Sequence, residues 1–184
     1  MPAMKTAAKI LFIVGIGLLI SLVSCRKIEQ YPVVPGIEFS RFLVEVDTST
    51  GQTPRAVLEF SYKDGDGDIG LDPDQIAPPF NPGSPYYYNL IIHYFEKQHG
   101  RFVEVPLLWW NNDSLRYDTI TFNARIPNLT PKTGNLNISG IIQDTLFIYN
   151  PLSTFDTIRF TFFIYDRALH KSNEVTTPEL IRHR

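Results

Sequence analysis

Apolar side chains recur at every second position along much of this chain. Ala56, Leu58, Phe60 and Tyr62 alternate with Val57, Glu59 and Ser61, and Ile158, Phe160, Phe162 and Ile164 repeat the pattern. A period of two is that of a strand with one face in a core and the other turned outward. Ile120, Phe122, Ala124 and Ile126, interleaved with Thr119, Thr121, Asn123 and Arg125, predict a further strand. After residue 36 no segment carries a sustained 3.6-residue stripe, which speaks against a helical architecture.

Tyr87 to Lys97 and Arg101 to Leu108 flank Gln98-His99-Gly100. Glycine can take the positive φ that a tight reversal needs, so this stretch predicts a hairpin. Further strands are expected near 37–47, 136–149 and 173–181. About seven or eight short strands over residues 37–184 predict an all-β domain, an immunoglobulin-like two-sheet β-sandwich, with a small barrel as the alternative closure. A chain that is 43% hydrophobic and 13% aromatic has the material for such a core. Its net charge of −2 gives no basic field to hold a phosphate backbone, so nucleic acid is not an expected partner.

The amino terminus has a different character. Lys5 and Lys9 precede an apolar run from Ile10 to Val23, shorter than the roughly 20 residues a bilayer-spanning helix needs. Residues 1–24 therefore predict a cleaved signal peptide. The run ends in Leu22-Val23-Ser24-Cys25, which resembles the bacterial lipobox. That resemblance implies cleavage before Cys25 and acylation of its sulfur and its new amino group. Cys25 is the single cysteine of the chain, so no intrachain disulfide is available to the domain. Arg26 follows it in place of the Asp that retains lipoproteins at the inner membrane, and an outer-membrane destination is expected. The stretch Arg26-Lys27-Ile28-Glu29-Gln30 lacks an acidic export run, and both a periplasmic and a surface-facing orientation are open. Residues 25–36, with Tyr-Pro-Val-Val-Pro-Gly at their end, predict a short lipidated tether.

The sharpest chemical feature is Asp64-Gly-Asp66-Gly-Asp68-Ile-Gly-Leu-Asp72-Pro-Asp74, directly after the strand at 55–62. Carboxylates at alternate positions, with glycines between them that let the backbone curl, can converge on one hard cation. The absence of His and Cys from the loop favours calcium over zinc. The opening resembles the Asp-x-Asp-x-Asp loops of EF-hands and thrombospondin-type calcium repeats. Ile69 at the sixth position, Gln75 at the twelfth and a preceding strand exclude an EF-hand proper. Asp64, Asp66, Asp68, Asp72 and Asp74 are the candidate ligands, and Asp166, ending the strand 157–165, can approach the same pole. A solvated Asp-Gly turn without an ion is the competing reading.

Other groups carry less. His93, His99, His170 and His183 are scattered, no Gly-x-Ser-x-Gly elbow is present, and no acid pair is marked out by spacing, so an enzyme is not expected. Trp109, Trp110 and Tyr87 stand in runs of adjacent rings, whose alternate members point to opposite faces of an extended chain. An exposed ring there can stack on a sugar or anchor a protein, and a ring that finishes the core is the plainer alternative. Ser114, Thr119, Thr145 and Thr157 each follow an Asp and precede an aliphatic residue. The triplets resemble the acceptor sequence of Bacteroidetes O-glycosylation, and ordinary turn chemistry yields the same pattern.

Phe60-Ser-Tyr-Lys-Asp-Gly-Asp-Gly-Asp-Ile-Gly-Leu71, Tyr88-Asn-Leu-Ile-Ile-His-Tyr-Phe-Glu-Lys97 and Phe163-Ile-Tyr-Asp-Arg-Ala-Leu-His-Lys-Ser-Asn173 together look like stretches from a group of Bacteroidetes lipoproteins with no assigned activity. The third also resembles the closing hairpin of bacterial immunoglobulin-like domains, in which an Asp starts a turn and Ser or Asn ends it. The resemblance implies the envelope compartment and the sandwich, and no mechanism. The expectation is a non-enzymatic outer-membrane lipoprotein, a binding or structural module held to the membrane by its lipid and acting on a protein or glycan partner, with calcium ordering the acidic loop. A carbohydrate-recognising accessory lipoprotein using the paired aromatics is the alternative.

Overall fold

The computed structural model describes residues 30–134, 136–148, 150 and 152–183, and every regular element among them is a β-strand. The signal segment 1–24, Cys25 and the first part of the tether, 25–29, lie outside the described residues. The strands are β1 (Gly36–Glu45), β2 (Arg55–Asp64), β3 (Leu90–Gln98), β4 (Arg101–Glu104) and β5 (Leu107–Asn111), then β6 (Arg116–Ile120), β7 (Ile138–Phe147), β8 (Thr157–Ile164), β9 (Val175–Thr176) and β10 (Leu180–Ile181).

They assemble into two principal antiparallel sheets and a ribbon. One sheet has the order β1-β2-β7, the other β10-β8-β3-β4 with β9 also on β8, and β5 pairs with β6 alone. Ala56, Leu58 and Phe60 of β2 and Ile158, Phe160, Phe162 and Ile164 of β8 are fully buried, as their alternation requires. Their rings meet between the sheets: Phe60 lies 5.0 Å from Phe162, and Phe42 of β1 lies 5.9 Å from Phe160. Burying one such side chain contributes about 1.5–3 kcal/mol, which makes this sandwich-like core the main support of the fold.

Polar groups fix the register where apolar ones cannot. Arg41, Glu59 and Gln143 sit opposite one another across β1, β2 and β7. The guanidinium donates to both oxygens of Glu59 at 3.1 Å, and the Gln143 amide adds a bond of 2.7 Å. Asn173 spans the two sheets, its side-chain amide accepting from Ile37 N–H and donating to Ile37 carbonyl, each at 2.8 Å. A slip by one residue would lose all of these bonds and turn every core side chain outward.

Three predicted strands are divided. The stretch 101–108 breaks at Val105-Pro106, because proline has no N–H for the ladder, and Leu107 begins β5 instead. The stretch 173–181 breaks at Pro178 in the same way, giving β9 and β10. The alternation from Thr119 to Ile126 also continues past the end of pairing at Ile120. Beyond it the Asn123 side-chain oxygen accepts Ile92 N–H at 2.8 Å, a side chain replacing a backbone partner, and only Ala124 forms a bridge, to Leu90.

Candidate metal centre

Strand β2 carries its register to Asp64, opposite Ile138 of β7, and the acidic loop starts there. Asp64 is therefore placed by the sheet, and its side chain is 0% exposed. Asp64 Oδ2 accepts Asp68 N–H at 2.9 Å, which curls the backbone so that Asp66 and Asp68 face back toward Asp64. One carboxylate oxygen from each of Asp64, Asp66 and Asp68 lies within 4.8 Å of the others. In each of the three, Oδ1 is buried and has no hydrogen-bond partner.

Three clustered carboxylates that each keep a buried acceptor without a donor form an expensive arrangement. Burial first, and then the Asp66 charge, push the Asp64 carboxyl up to about 6. Burial, followed by the charges of Asp166 and Asp66, also raises Asp68. A cation seated among the three oxygens removes both penalties, and hard oxygen donors with no nitrogen or sulfur suit a hard ion. The Asp64-Asp66-Asp68 cluster can thus hold a metal ion.

The loop is gripped by backbone at its glycines. A Cβ on Gly67 would lie 2.1 Å from the Leu136 carbonyl oxygen, and one on Gly70 would lie 2.0 Å from that of Pro127. Both residues also have positive φ, 68° and 92°. Ile69, between them, is buried in the core and forms a bridge with Asp166. Arg167 closes the far side. Its N–H donates to the Asp68 carbonyl at 3.2 Å, and its guanidinium donates to the Gly70 carbonyl at 2.8 Å, to Asn128 Oδ1 at 2.9 Å and to the Thr130 hydroxyl. Thr130 in turn donates to the Gly67 carbonyl at 2.6 Å, and Ala168 N–H to Asp68 Oδ2 at 3.0 Å. Spacing in the sequence does not reveal Arg167, Thr130 or Asn128, since all three reach the loop from distant segments.

The remaining expected ligands lie outside this group of three. Asp166 does arrive at this pole, close enough for its charge to act on Asp64 and Asp68. Its own oxygens face His170, accepting the N–H at 2.7 Å and lying 2.8 Å from Nδ1, and this contact raises the imidazole pKa. The Asp72 carboxylate accepts from the Asn128 amide at 2.9 Å, and Asp74 is an exposed turn residue. Among the described residues the structure groups only Asp64, Asp66 and Asp68 as a candidate ligand set.

Trp109 and Trp110 lie on β5 of the separate ribbon and are 61% and 42% exposed, the second standing edge-on to Tyr117 at 5.1 Å. Tyr87 belongs to a different cluster, edge-on to Tyr88 and beneath the Arg125 guanidinium at 5.0 Å. Ser114 is exposed at the ribbon turn, Thr119 and Thr145 point outward from strands, and Thr157 is half-buried. Comparison of the chain with family models, with curated proteins and with solved structures returns no match.

Proposed function

We propose that this protein is a lipid-anchored, non-enzymatic module of the bacterial outer envelope, an immunoglobulin-like sandwich whose acidic loop is a structural calcium site. The observation that carries the calcium assignment is that Asp64, Asp66 and Asp68 bring carboxylate oxygens within 4.8 Å of one another and each keep one buried oxygen without a partner, in a loop held on both sides. Calcium takes six to eight oxygens at about 2.3–2.6 Å and tolerates irregular geometry, which suits a three-carboxylate core completed by water. The anchor rests on Cys25 in its lipobox-like setting and on the resemblance to Bacteroidetes lipoproteins. Several acyl chains on one cysteine hold stably where one chain is marginal.

Calorimetric titration with calcium, together with thermal melts, tests this reading. Binding of one ion with a rise in melting temperature is expected, and Asp66→Asn and Asp68→Asn should abolish both. No heat and no shift at millimolar calcium would leave the cluster a metal-free acidic turn.

The exposure of Trp109 and Trp110 supports a second reading, a carbohydrate-recognition surface on the β5–β6 ribbon. Indole faces stack on the apolar faces of sugars, and Asn111, Arg116 and Asp118 supply neighbouring polar groups. A glycan array should show binding that Trp109→Ala or Trp110→Ala removes. A blank array counts against it.

A further inference from the structure

Gly65 stands between two of the three clustered carboxylates, and it is also where the amino-terminal segment is fastened. Its N–H donates to the Pro32 carbonyl at 2.8 Å. A Cβ placed on Gly65 would lie 2.3 Å from the Tyr31 carbonyl oxygen and 2.8 Å from that of Pro32, so the segment is pressed flat against the loop backbone. Tyr31 N–H donates to Asn137 Oδ1 at 2.8 Å, its hydroxyl to Ser139 at 3.4 Å, and the Lys63 ammonium lies 5.2 Å from its ring. Lys63 and Gly65 flank Asp64, and Asn137 and Ser139 flank Ile138, the residue paired with Asp64. These contacts of Tyr31 and Pro32 thus lie next to the first carboxylate of the site.

We infer that metal occupancy at Asp64, Asp66 and Asp68 is coupled to docking of residues 31–34, so that the ion acts as a latch on the segment leading to the lipid anchor. The inference rests on the calcium reading above. Gly65 is the one residue joining Asp64 to Asp66. When the carboxylates repel one another without an ion, relaxation of the backbone between them moves the N–H that holds Pro32 and the surface on which Tyr31 lies. With the ion in place that backbone is fixed and the segment stays down. The other grips on the loop, from Leu136, Pro127, Thr130 and Arg167, come from inside the domain. The Tyr31–Pro32 grip is the one that continues toward Cys25. Release of four residues lengthens the free linker by about 13 Å at ~3.3 Å per residue. Linkage makes the coupling reciprocal: a docked segment tightens calcium binding by the factor through which calcium tightens docking.

Backbone hydrogen exchange on the full chain in detergent micelles, with calcium chloride or with EDTA, tests the latch alongside calorimetry. Calcium is expected to slow exchange of the peptide covering Tyr31–Val34 by about 5-fold or more. Gly65 lacks a positive φ, and the three atoms nearest an added Cβ all belong to Tyr31 and Pro32, so Gly65→Ala strikes the docked segment first. It should exchange fast in that peptide with or without calcium, and bind the ion about 5-fold more weakly. Asn137→Ala, which removes an acceptor outside the loop, should shift both readouts in the same direction. Calcium binding with no change in the Tyr31–Val34 peptide overturns the latch and leaves the metal site standing. Absence of calcium binding overturns the site, and the latch with it.

Discussion

Arg182 Nη2 and Glu96 Oε1 lie 2.8 Å apart in the interior, with side chains 0% and 3% exposed. The same Glu96 oxygen accepts from the Tyr94 hydroxyl at 2.7 Å, and its partner oxygen from Ser153 at 2.7 Å. Arg182 also donates to Tyr94 and to the carbonyls of Ile148 and Phe155. The chain just after β10 is thereby fastened to β3 by a charge pair whose groups are nearly all satisfied. Removing one partner strands the other charge in the core, which costs about 3–5 kcal/mol. Arg182→Leu should lower stability by that amount in urea titration. The double variant Arg182→Leu with Glu96→Leu should recover part of the loss, because no bare charge remains.

The acidic cluster contributes to the pH dependence of the metal-free protein. Asp64 is raised to about 6 by burial and by Asp66, from an ordinary value of 3.8, so the folded state holds a proton that the unfolded chain releases across that interval. Stability then falls as pH rises through it. Asp68 is shifted in the same direction. His170, raised above 6.5 chiefly by its hydrogen bond to Asp166, contributes stability that is present below 6.5 and lost as pH rises past its folded value. In EDTA the melting temperature should therefore be several degrees higher near pH 5 than near pH 7.5. Calcium binds the ionised carboxylates, so its stabilising increment should shrink as pH falls below about 6. An increment that grows on acidification would exclude Asp64 as a ligand.

Two glycines separate backbone strain from close approach. Gly70 has φ of 92°, and a Cβ on it would meet the Pro127 carbonyl at 2.0 Å, whereas Gly83 has φ of 86° and open space around it. Alanine at Gly83 meets only the left-handed penalty, about 1–2 kcal/mol. Gly70→Ala adds a collision with backbone and should cost more than about 3 kcal/mol. Equal losses in chemical denaturation would show that the Pro127 segment yields freely, and the loop would then not be rigidly held on that side.

These contrasts show which parts of the structure were written locally. Ala56 to Tyr62 and Ile158 to Ile164 were legible because each strand has one face in the core, and burial imposes the period of two on the residues themselves. The run from Thr119 to Ile126 carries the same period and still leaves its ladder at Ile120, since Asn123 supplies through its side chain a bond that a strand partner would have made. The carboxylates of Asp64, Asp66 and Asp68 were legible from spacing. Asp72 shares that spacing, yet Asn128, which is remote in sequence, takes its carboxylate. Thr130 and Arg167 hold the loop across even longer separations and Tyr31 from the opposite side in sequence, and no local pattern encodes such contacts. The glycines at 65, 67 and 70 were the available signal, since each lies under a carbonyl from another segment.

The β5–β6 ribbon makes a prediction that separates surface from support. Leu107 is buried where the ribbon leaves the domain, while Trp109 and Trp110 are exposed further along the same strand. Leu107→Ala should lower stability by about 2–5 kcal/mol, the usual loss for a buried leucine. Trp109→Ala removes a ring that mostly faces water and should stay within about 0.5 kcal/mol of the parent. The two Trp are the only indoles in the chain, so fluorescence reports the ribbon directly. Iodide should quench both strongly in the folded protein, and single-tryptophan variants should place Trp109 as the more accessible of the two. Shielded indoles, or a large stability loss on Trp109→Ala, would mean that the ribbon folds its rings against the domain, and the carbohydrate reading would lose its surface.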